Sequence, residues 1–249
     1  MGEVALLPGE RIDQLAPAGI RIIQHPHVFA FSLDAVLLAA FAQLPKRGGQ
    51  VVDLGAGNGA VSLFAAHHTT AQMTLVEIQP RLADMARRSI VLNDLTQRLT
   101  VLNMPMQEIL TEIPKNSVDA VMTNPPYFKD SPTIEKKSNP HFALARHELT
   151  VTLTEVVALS ADLLKFNGKL FMVHRPDRLG EILSELQVHQ LAPKRLRFVY
   201  PKAGREANMV LIEAIRGGRP NGLRVLPPLV VYDEQGNYEA EVKRALFTD

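Results

Sequence analysis

Short apolar runs alternate with segments of helical periodicity through the first half of the chain. Each run is bounded by glycine or polar residues, as expected of a strand buried on both faces. The runs predict strands at residues 50–54, 72–77, 99–103 and 118–123. Strands that alternate with helices are typical of a parallel sheet covered on both sides. We therefore expect an α/β fold.

The segments between these runs are predicted to be crossover helices. Residues 60–68 are rich in alanine, and residues 80–92 begin with Pro80, which a first helical turn tolerates. Apolar side chains then recur at helical spacing, at Leu82, Met85, Ala86 and Ile90. Residues 33–44 predict a further apolar helix ahead of the first of these strands. The fold prediction thus places helices on both faces of the sheet.

A capping box marks the start of the next helix. Thr152 and Glu155 have the spacing at which each side chain binds the other's backbone N–H. The helix is predicted to reach Phe166, with Asn167 and Gly168 as its stop. A fifth strand is expected at residues 169–173.

The C-terminal third predicts a change of strand direction. After a helix at residues 177–190, two strands at residues 195–200 and 207–214 are expected to close the sheet as an antiparallel hairpin. We expect residues 1–48 to be an N-terminal extension packed on the core, and residues 49–249 to be the main domain.

Composition limits the classes of protein to consider. A chain of 249 residues, 46% of them hydrophobic, can bury a full core. It has no cysteine, which excludes disulfides and thiolate metal sites and fits a cytoplasmic protein. We expect no membrane span and no secretion signal. The eight histidines show no ligand spacing, so we also expect no metal.

A glycine-rich loop follows the first predicted strand of the sheet. Asp53 ends that strand, and Gly55, Gly57 and Gly59 follow, so a ligand can approach main-chain N–H groups at a helix start. The spacing differs from that of dinucleotide loops. Glu77 ends the next strand, where a carboxylate can bind both hydroxyls of a ribose. A nucleotide-like ligand is indicated.

The sequence Asn124-Pro125-Pro126-Tyr127 follows the strand at residues 118–123. Asn124 Oδ1 and the carbonyl of Pro125 can accept the two hydrogens of an exocyclic amine or amide nitrogen. Two prolines make the turn rigid, and Tyr127 offers a flat face on which a base can stack. This motif predicts methyl transfer to a planar nitrogen without a general base.

With these motifs, the chain resembles the class I S-adenosylmethionine-dependent methyltransferases. It is most similar to the bacterial family that methylates N6 of adenine 37 in a valine tRNA. The segments that carry the resemblance are residues 24–38, 53–59, 124–128, 145–148, 200–208 and 227–232. The resemblance implies a Rossmann-like, mostly parallel seven-stranded sheet with a terminal antiparallel hairpin strand. It also implies S-adenosylmethionine as cofactor and tRNA as substrate.

The resemblance implies roles for individual residues in binding the cofactor. Asp53, Gly55, Gly57 and Asn58 would surround its methionine part, Glu77 would bind the ribose, and Ile78 would pack on the adenine. An acidic residue common in the family after the third strand is missing here. Asn103 or Gln107 substitutes for it, or main-chain groups and methionines hold the ring. The segment Phe31-Ser32-Leu33-Asp34 resembles one that lies over the cofactor in the family. Ser32 either caps the helix that follows or also has this cofactor role.

On the substrate side, Asn124, Pro125, Pro126 and Tyr127 would form the catalytic motif. Phe128 would hold the other face of the base or belong to the core. The candidates for phosphate contacts are Arg146, Lys202 and Arg205, although Arg146 can instead pair with Glu148.

Residues 194–224 contain eight basic and two acidic residues, which fits either an RNA surface or a charged sheet edge.

Two other functions remain open from the sequence. A glutamine-N5 protein methyltransferase uses the same four-residue motif, but that group generally has a helical domain ahead of the glycine loop. A non-catalytic RNA-binding protein with a methyltransferase fold is the second alternative.

Overall fold

The computed structural model describes residues 4–15, 19–26, 33–125, 127 and 151–246. Its strands in chain order are β1 (Arg11–Leu15), β2 (Ile20–Gln24), β3 (Gln50–Leu54), β4 (Gln72–Val76), β5 (Leu99–Leu102), β6 (Val118–Thr123), β7 (Leu164–His174), β8 (Leu191–Lys202), β9 (Met209–Arg216), β10 (Arg224–Val225) and β11 (Leu229–Tyr232). The helices are α1 (Leu33–Phe41), α2 (Ala60–Ala65), α3 (Pro80–Leu92), α4 (Leu153–Leu163), α5 (Leu179–Val188) and α6 (Ala240–Leu246). Two 3₁₀ helices cover Met106–Thr111 and Pro176–Arg178.

Within these ranges, nine strands form one sheet. Its main order is β5-β4-β3-β6-β7-β9-β8, and the short β10 and β11 both pair with β8. Every pairing is parallel except those of β9, which is antiparallel to β7 and to β8. The predicted mostly parallel sheet with an antiparallel hairpin is confirmed. The sequence analysis did not foresee β10 and β11, or the separate β1–β2 hairpin.

Among the described residues, every strand of the sheet except β9 runs in the same direction. Strands β3, β4, β5, β6, β7 and β8 finish along one border of the sheet, and we call this border the carboxyl edge. The chain order reverses between β3 and β6, so the loops after these two strands lead to opposite sides. Crevices at such a switch point are the usual ligand sites of open α/β sheets.

Helices cover both faces of the sheet. One apolar core contains residues of α1, α2, α3 and α6, and the other contains residues of α4, α5 and the first 3₁₀ helix. Neighbouring residues of one strand enter opposite cores: Met122 belongs to the first core and Val121 to the second. Burial on both faces explains why the central strands read as continuous apolar runs.

The end of α4 corrects one prediction. The helix begins as expected at the Thr152–Glu155 capping box, but it ends at Leu163 instead of Phe166, because β7 begins at Leu164. Asn167, with φ of 65°, lies inside β7, where the register to β6 shifts. The residue pair that predicted a helix stop therefore forms a bulge in the strand.

A buried ion pair fixes the C-terminal end of α1 to the sheet. Arg195 of β8 donates from Nε to Glu213 Oε2 at 2.7 Å, and both residues are buried. Its guanidinium also donates to the Phe41 carbonyl at 3.1 Å and lies 4.4 Å from the centre of the Phe41 ring. Helix α1 is thus attached to two late strands of the chain.

The β1–β2 hairpin is joined to α3. The backbone N–H of Ile23 donates to Ser89 Oγ at 2.9 Å, and Arg88 forms an ion pair with Glu10 at 2.6 Å. None of the helices in the described ranges is long and apolar enough to cross a membrane.

Candidate active site

The glycine loop after β3 has the backbone shape that requires glycine. Gly55, Gly57 and Gly59 have φ of 72°, 59° and 87°, in the left-handed region. The N–H groups of Gly55 and Ala56 both bond to the carbonyl of Val76 at 3.0 Å, so the loop is anchored to β4. A Cβ on Gly59 would lie 3.3 Å from Ala86 Cβ. The absence of a side chain at Gly59 therefore also lets α3 pack close to the loop.

Asp53 presents a buried carboxylate oxygen next to this loop. Ser62 Oγ donates to Oδ2 at 2.7 Å, while Oδ1 is buried without a hydrogen-bond partner. Burial raises the pKa of Asp53 to about 7. An unsatisfied carboxylate oxygen is costly unless a ligand supplies a donor or a positive charge. The site therefore fits a cationic group such as an amino acid's ammonium.

Glu77 is oriented by two backbone N–H groups. Gly57 donates to Oε2 at 2.9 Å and Gln79 donates to Oε1 at 2.8 Å. Burial raises the pKa of the Glu77 carboxyl, and these N–H groups oppose that shift. Each oxygen keeps a further lone pair for a hydroxyl donor. The next residue, Ile78, is 40% exposed and offers an apolar surface beside the carboxylate.

The segment after β5 was expected to contain the partner of the cofactor's adenine. Asn103 Nδ2 donates to the carbonyls of Glu77 and Ile78 at 2.8 and 3.1 Å, so this side chain holds the β4 end in place. Gln107 hydrogen-bonds to Glu155. Met106 lies close to the loop, 3.6 Å from a Cβ built on Gly55. This arrangement favours the alternative in which methionines pack on the ring.

The asparagine of the four-residue motif lies beside the glycine loop. Leu54 and Thr123 are register partners in β3 and β6, so the following residues, Gly55 and Asn124, begin their loops side by side. Thr123 Oγ1 donates to the Leu54 carbonyl at 3.0 Å and fixes this alignment. Asn124 is half-buried and Pro125 is buried.

Tyr127 contacts Asn124 and two further side chains, Asp34 and His174, to which the sequence analysis gave no individual role in the site. Its hydroxyl oxygen is 2.5 Å from Asp34 Oδ2 and 2.6 Å from Asn124 Oδ1. Its ring lies 5.3 Å from the ring of His174, at the end of β7. Because Asp34 precedes Tyr127 by 93 positions, no local pattern could have indicated this contact.

Comparisons with known proteins agree with this geometry. Residues 19–137 match the methyltransferase small domain family. A predicted O-methyltransferase from Agrobacterium tumefaciens, 23% identical, has the same fold with a TM-score of 0.68, over 86% of this chain and 95% of its own. The chain therefore has the fold of the class I methyltransferases, and its match to the methyltransferase small domain family spans a little under half of it. The class I fold implied by the resemblance is thereby confirmed.

Two curated relatives of this chain have the same printed name, tRNA1(Val) (adenine(37)-N6)-methyltransferase. The protein from Shewanella sp. (strain MR-4) is 32% identical over 55% of this chain and 57% of its own length, so that match spans little more than half of the relative. The protein from Shewanella baltica (strain OS155 / ATCC BAA-1091) is 27% identical over 84% of this chain and 87% of its own length.

The described residues of the site fit S-adenosylmethionine. The unpartnered Asp53 Oδ1 suits the ammonium of the methionine part, Glu77 suits the ribose hydroxyls, and the exposed Ile78 suits an adenine face. Asn58 is placed differently, since its side chain is buried and donates to the Ile23 carbonyl at 3.1 Å. Its side chain therefore joins the loop to β2, which leaves only its backbone for the cofactor.

Several residues that the sequence analysis assigned to the site lie outside the residues that the structure describes. They are Ser32, Pro126, Phe128 and Arg146. Among the described residues, no group of three or more His, Asp or Glu side chains is arranged to hold a metal ion.

The basic segment at residues 194–224 divides between two borders of the sheet. Lys202 is the last residue of β8 and Arg205 follows it at the carboxyl edge, and both are exposed. Lys194 and Arg219 lie at the opposite border, where the Lys194 ammonium donates to the Arg219 carbonyl at 2.5 Å. Arg195 is buried against Glu213, and Arg197 pairs with Glu241 at 2.6 Å. Lys202 and Arg205 therefore share a border with the glycine loop and Asn124.

Proposed function

We propose that this methyltransferase transfers a methyl group to the exocyclic N6 of an adenine in tRNA, and that the target is adenine 37 of a valine tRNA. The observation that carries the proposal is the alignment of Leu54 with Thr123. It sets the loop that fits the cofactor beside Asn124, whose oxygen is a hydrogen-bond acceptor. The names of the curated relatives support the tRNA and the nucleotide.

The residues of the chain would act mainly by positioning. When bound, S-adenosylmethionine supplies an electrophilic methyl group on a positively charged sulfur. Asn124 Oδ1 and the Pro125 carbonyl accept hydrogens of the substrate's amino group, which draws its lone pair out of conjugation with the ring. The ring of Tyr127 gives the base a surface on which to stack. Holding both reactants in one orientation supplies most of the acceleration.

Charge at the carboxyl edge supports RNA as the substrate. Lys202 and Arg205 are exposed on the same border of the sheet as Asn124, so a phosphate backbone bound to them lies near the site. Arg146 stays a proposed contact. We place the activity in the cytoplasm, where tRNA is modified.

Incubation with labelled S-adenosylmethionine tests the proposal. Total tRNA and purified release factor are offered in parallel, and the label is located by nucleoside and peptide mass spectrometry. We expect N6-methyladenosine in tRNA. Label on a glutamine side chain would instead indicate the protein methyltransferase. If neither substrate is labelled although the protein binds the cofactor, the proposal is wrong.

A further inference from the structure

The hydroxyl of Tyr127 lies between two hydrogen-bond acceptors. Its oxygen is 2.5 Å from Asp34 Oδ2 and 2.6 Å from Asn124 Oδ1. A hydroxyl has one hydrogen and can donate to only one of them at a time. Burial and the charge of Asp34 raise the pKa of Tyr127 well above its ordinary value, so the hydroxyl keeps this hydrogen. The site thus offers two acceptors to a hydroxyl that has a single hydrogen.

An amino group matches these two acceptors better than a hydroxyl does. Its nitrogen has two hydrogens, and both acceptors lie at hydrogen-bond distance from the same point. The acceptors come from separate elements, Asp34 from the first turn of α1 and Asn124 from the end of β6. Asp34 is 7% exposed, so its carboxylate acts where water screens it little.

We propose that Asp34 is a catalytic residue, and that the substrate's amino nitrogen occupies the point where the Tyr127 oxygen now lies. In this arrangement Asn124 Oδ1 accepts one hydrogen of the amine, and Asp34 Oδ2 shares the other with the Pro125 carbonyl. The Tyr127 side chain turns away when the base enters, and its ring then stacks on the base. The inference rests on the proposed methylation of an amino nitrogen.

A carboxylate suits this position because the nitrogen becomes positive during the reaction. The nitrogen forms a bond to the methyl carbon while the carbon–sulfur bond breaks, and that electron pair stays on sulfur. The product nitrogen then has one hydrogen too many, and this proton passes to Asp34 Oδ2. A charged acceptor stabilises the developing ammonium more than the neutral carbonyls of the motif can.

Two substitutions separate this role from a merely structural one. If Asp34 acts only by holding the Tyr127 hydroxyl, Asp34→Asn has no effect once that hydroxyl is removed by Tyr127→Phe. If Asp34 binds the amine, Asp34→Asn lowers the rate in the Tyr127→Phe background as well. We expect a loss on the order of 100-fold in the single-turnover rate of N6-methyladenosine formation there. Cofactor affinity should stay within about threefold.

The outcomes are divided by one threshold. A loss of more than about tenfold in the Tyr127→Phe background supports the inference, and a smaller loss overturns it. Asp119→Asn is the matched control, because Asp119 is a half-buried carboxylate at the opposite border that binds Lys165 and the Gln50 N–H. Its rate should equal that of the parent. A parent that forms no N6-methyladenosine overturns the proposed function together with this inference.

A binding experiment decides the matter if the Asp34 variants do not fold. The Tyr127→Phe variant, without cofactor, is titrated with substrate tRNA that has either adenosine or purine riboside at the target position. Purine riboside lacks the amino group. We expect the substitution to tighten binding of the adenosine form several-fold more than that of the purine form. An equal change for both forms would overturn the inference.

Discussion

Leu54 and Thr123 occupy matching positions in neighbouring parallel strands, and the Thr123 hydroxyl donates to the Leu54 carbonyl at 3.0 Å. The two chain segments to which we assign cofactor binding and amine binding start from this pair. A small change in the register of β3 against β6 would therefore separate them. The alignment is buried, and it can be tested by removing a single hydroxyl.

Thr123→Val removes the hydroxyl and keeps the shape of the side chain. The Leu54 carbonyl then loses a buried donor, so we expect the free energy of unfolding to fall by about 1 kcal/mol. The turnover number should fall more than cofactor affinity does, because the change affects the position of Asn124 relative to the loop. Thr100→Val on β5 is the control, since Thr100 is exposed. Equal losses of turnover in both variants would contradict the positional role.

Asn124→Ala removes one acceptor for the amine. We expect turnover to fall by a factor on the order of 100 to 1,000, with little change in cofactor affinity measured by calorimetry. Asn124→Asp keeps an acceptor oxygen and should retain a larger part of the rate. The exposed Asn221, at the far border, provides an alanine control. Near-normal turnover of Asn124→Ala would refute the role of this side chain.

Arg205→Ala should weaken binding to tRNA and lower the slope of log affinity against log salt by about one, if Arg205 contacts a phosphate. Arg219→Ala is the matched control, because Arg219 is also exposed but lies at the opposite border of the sheet. We expect its slope to equal that of the parent. If Arg205→Ala and Arg219→Ala lower the slope equally, the proposal that tRNA phosphates bind at the carboxyl edge is wrong.

Asp53→Asn should stabilise the protein while weakening cofactor binding. Because burial raises the folded-state pKa of Asp53 from 3.8 to about 7, the parent loses stability as the pH rises between these values. Above pH 7 the loss is complete, and it lowers the parent's free energy of unfolding by as much as about 4 kcal/mol. Denaturant unfolding should show the variant to be more stable at pH 8 and similar to the parent near pH 4.

The pH dependence of cofactor affinity gives a second measurement on Asp53. Affinity of the parent for S-adenosylmethionine should increase as the pH rises through 7, because ionised Asp53 attracts the ammonium group. The amide introduced by Asp53→Asn does not titrate, so this pH dependence should disappear in the variant. A parent affinity that is constant from pH 6 to pH 8 would speak against a contact between Asp53 and the ammonium.

Local signals in the sequence were sufficient for much of the fold. Helix α3 has the predicted bounds, because Pro80 marks its first turn and its apolar residues recur regularly. The end of α4 was wrong, because a left-handed residue such as Asn167 serves equally well in a helix stop and in a strand bulge. Pairing partners, which lie far along the chain, decide between the two.

The same limit applies to the site. Asp53, Glu77, Asn124 and Tyr127 belong to motifs in which residue type and spacing indicate chemistry. Asp34 and His174 contact Tyr127 only because helix α1 and strand β7 pack beside β6. The sequence offers no spacing that relates them, so their contribution depends on tertiary structure.

The attachment of α1 to Arg195 and Glu213 has a consequence for the order in which the site is completed. A fragment that ends after β7 contains the glycine loop, Asn124 and Asp34, yet it lacks Arg195 and Glu213, which bind the C-terminal end of the helix on which Asp34 lies. During synthesis on the ribosome, we therefore expect this end of α1 to be fixed only after β8 and β9 have emerged.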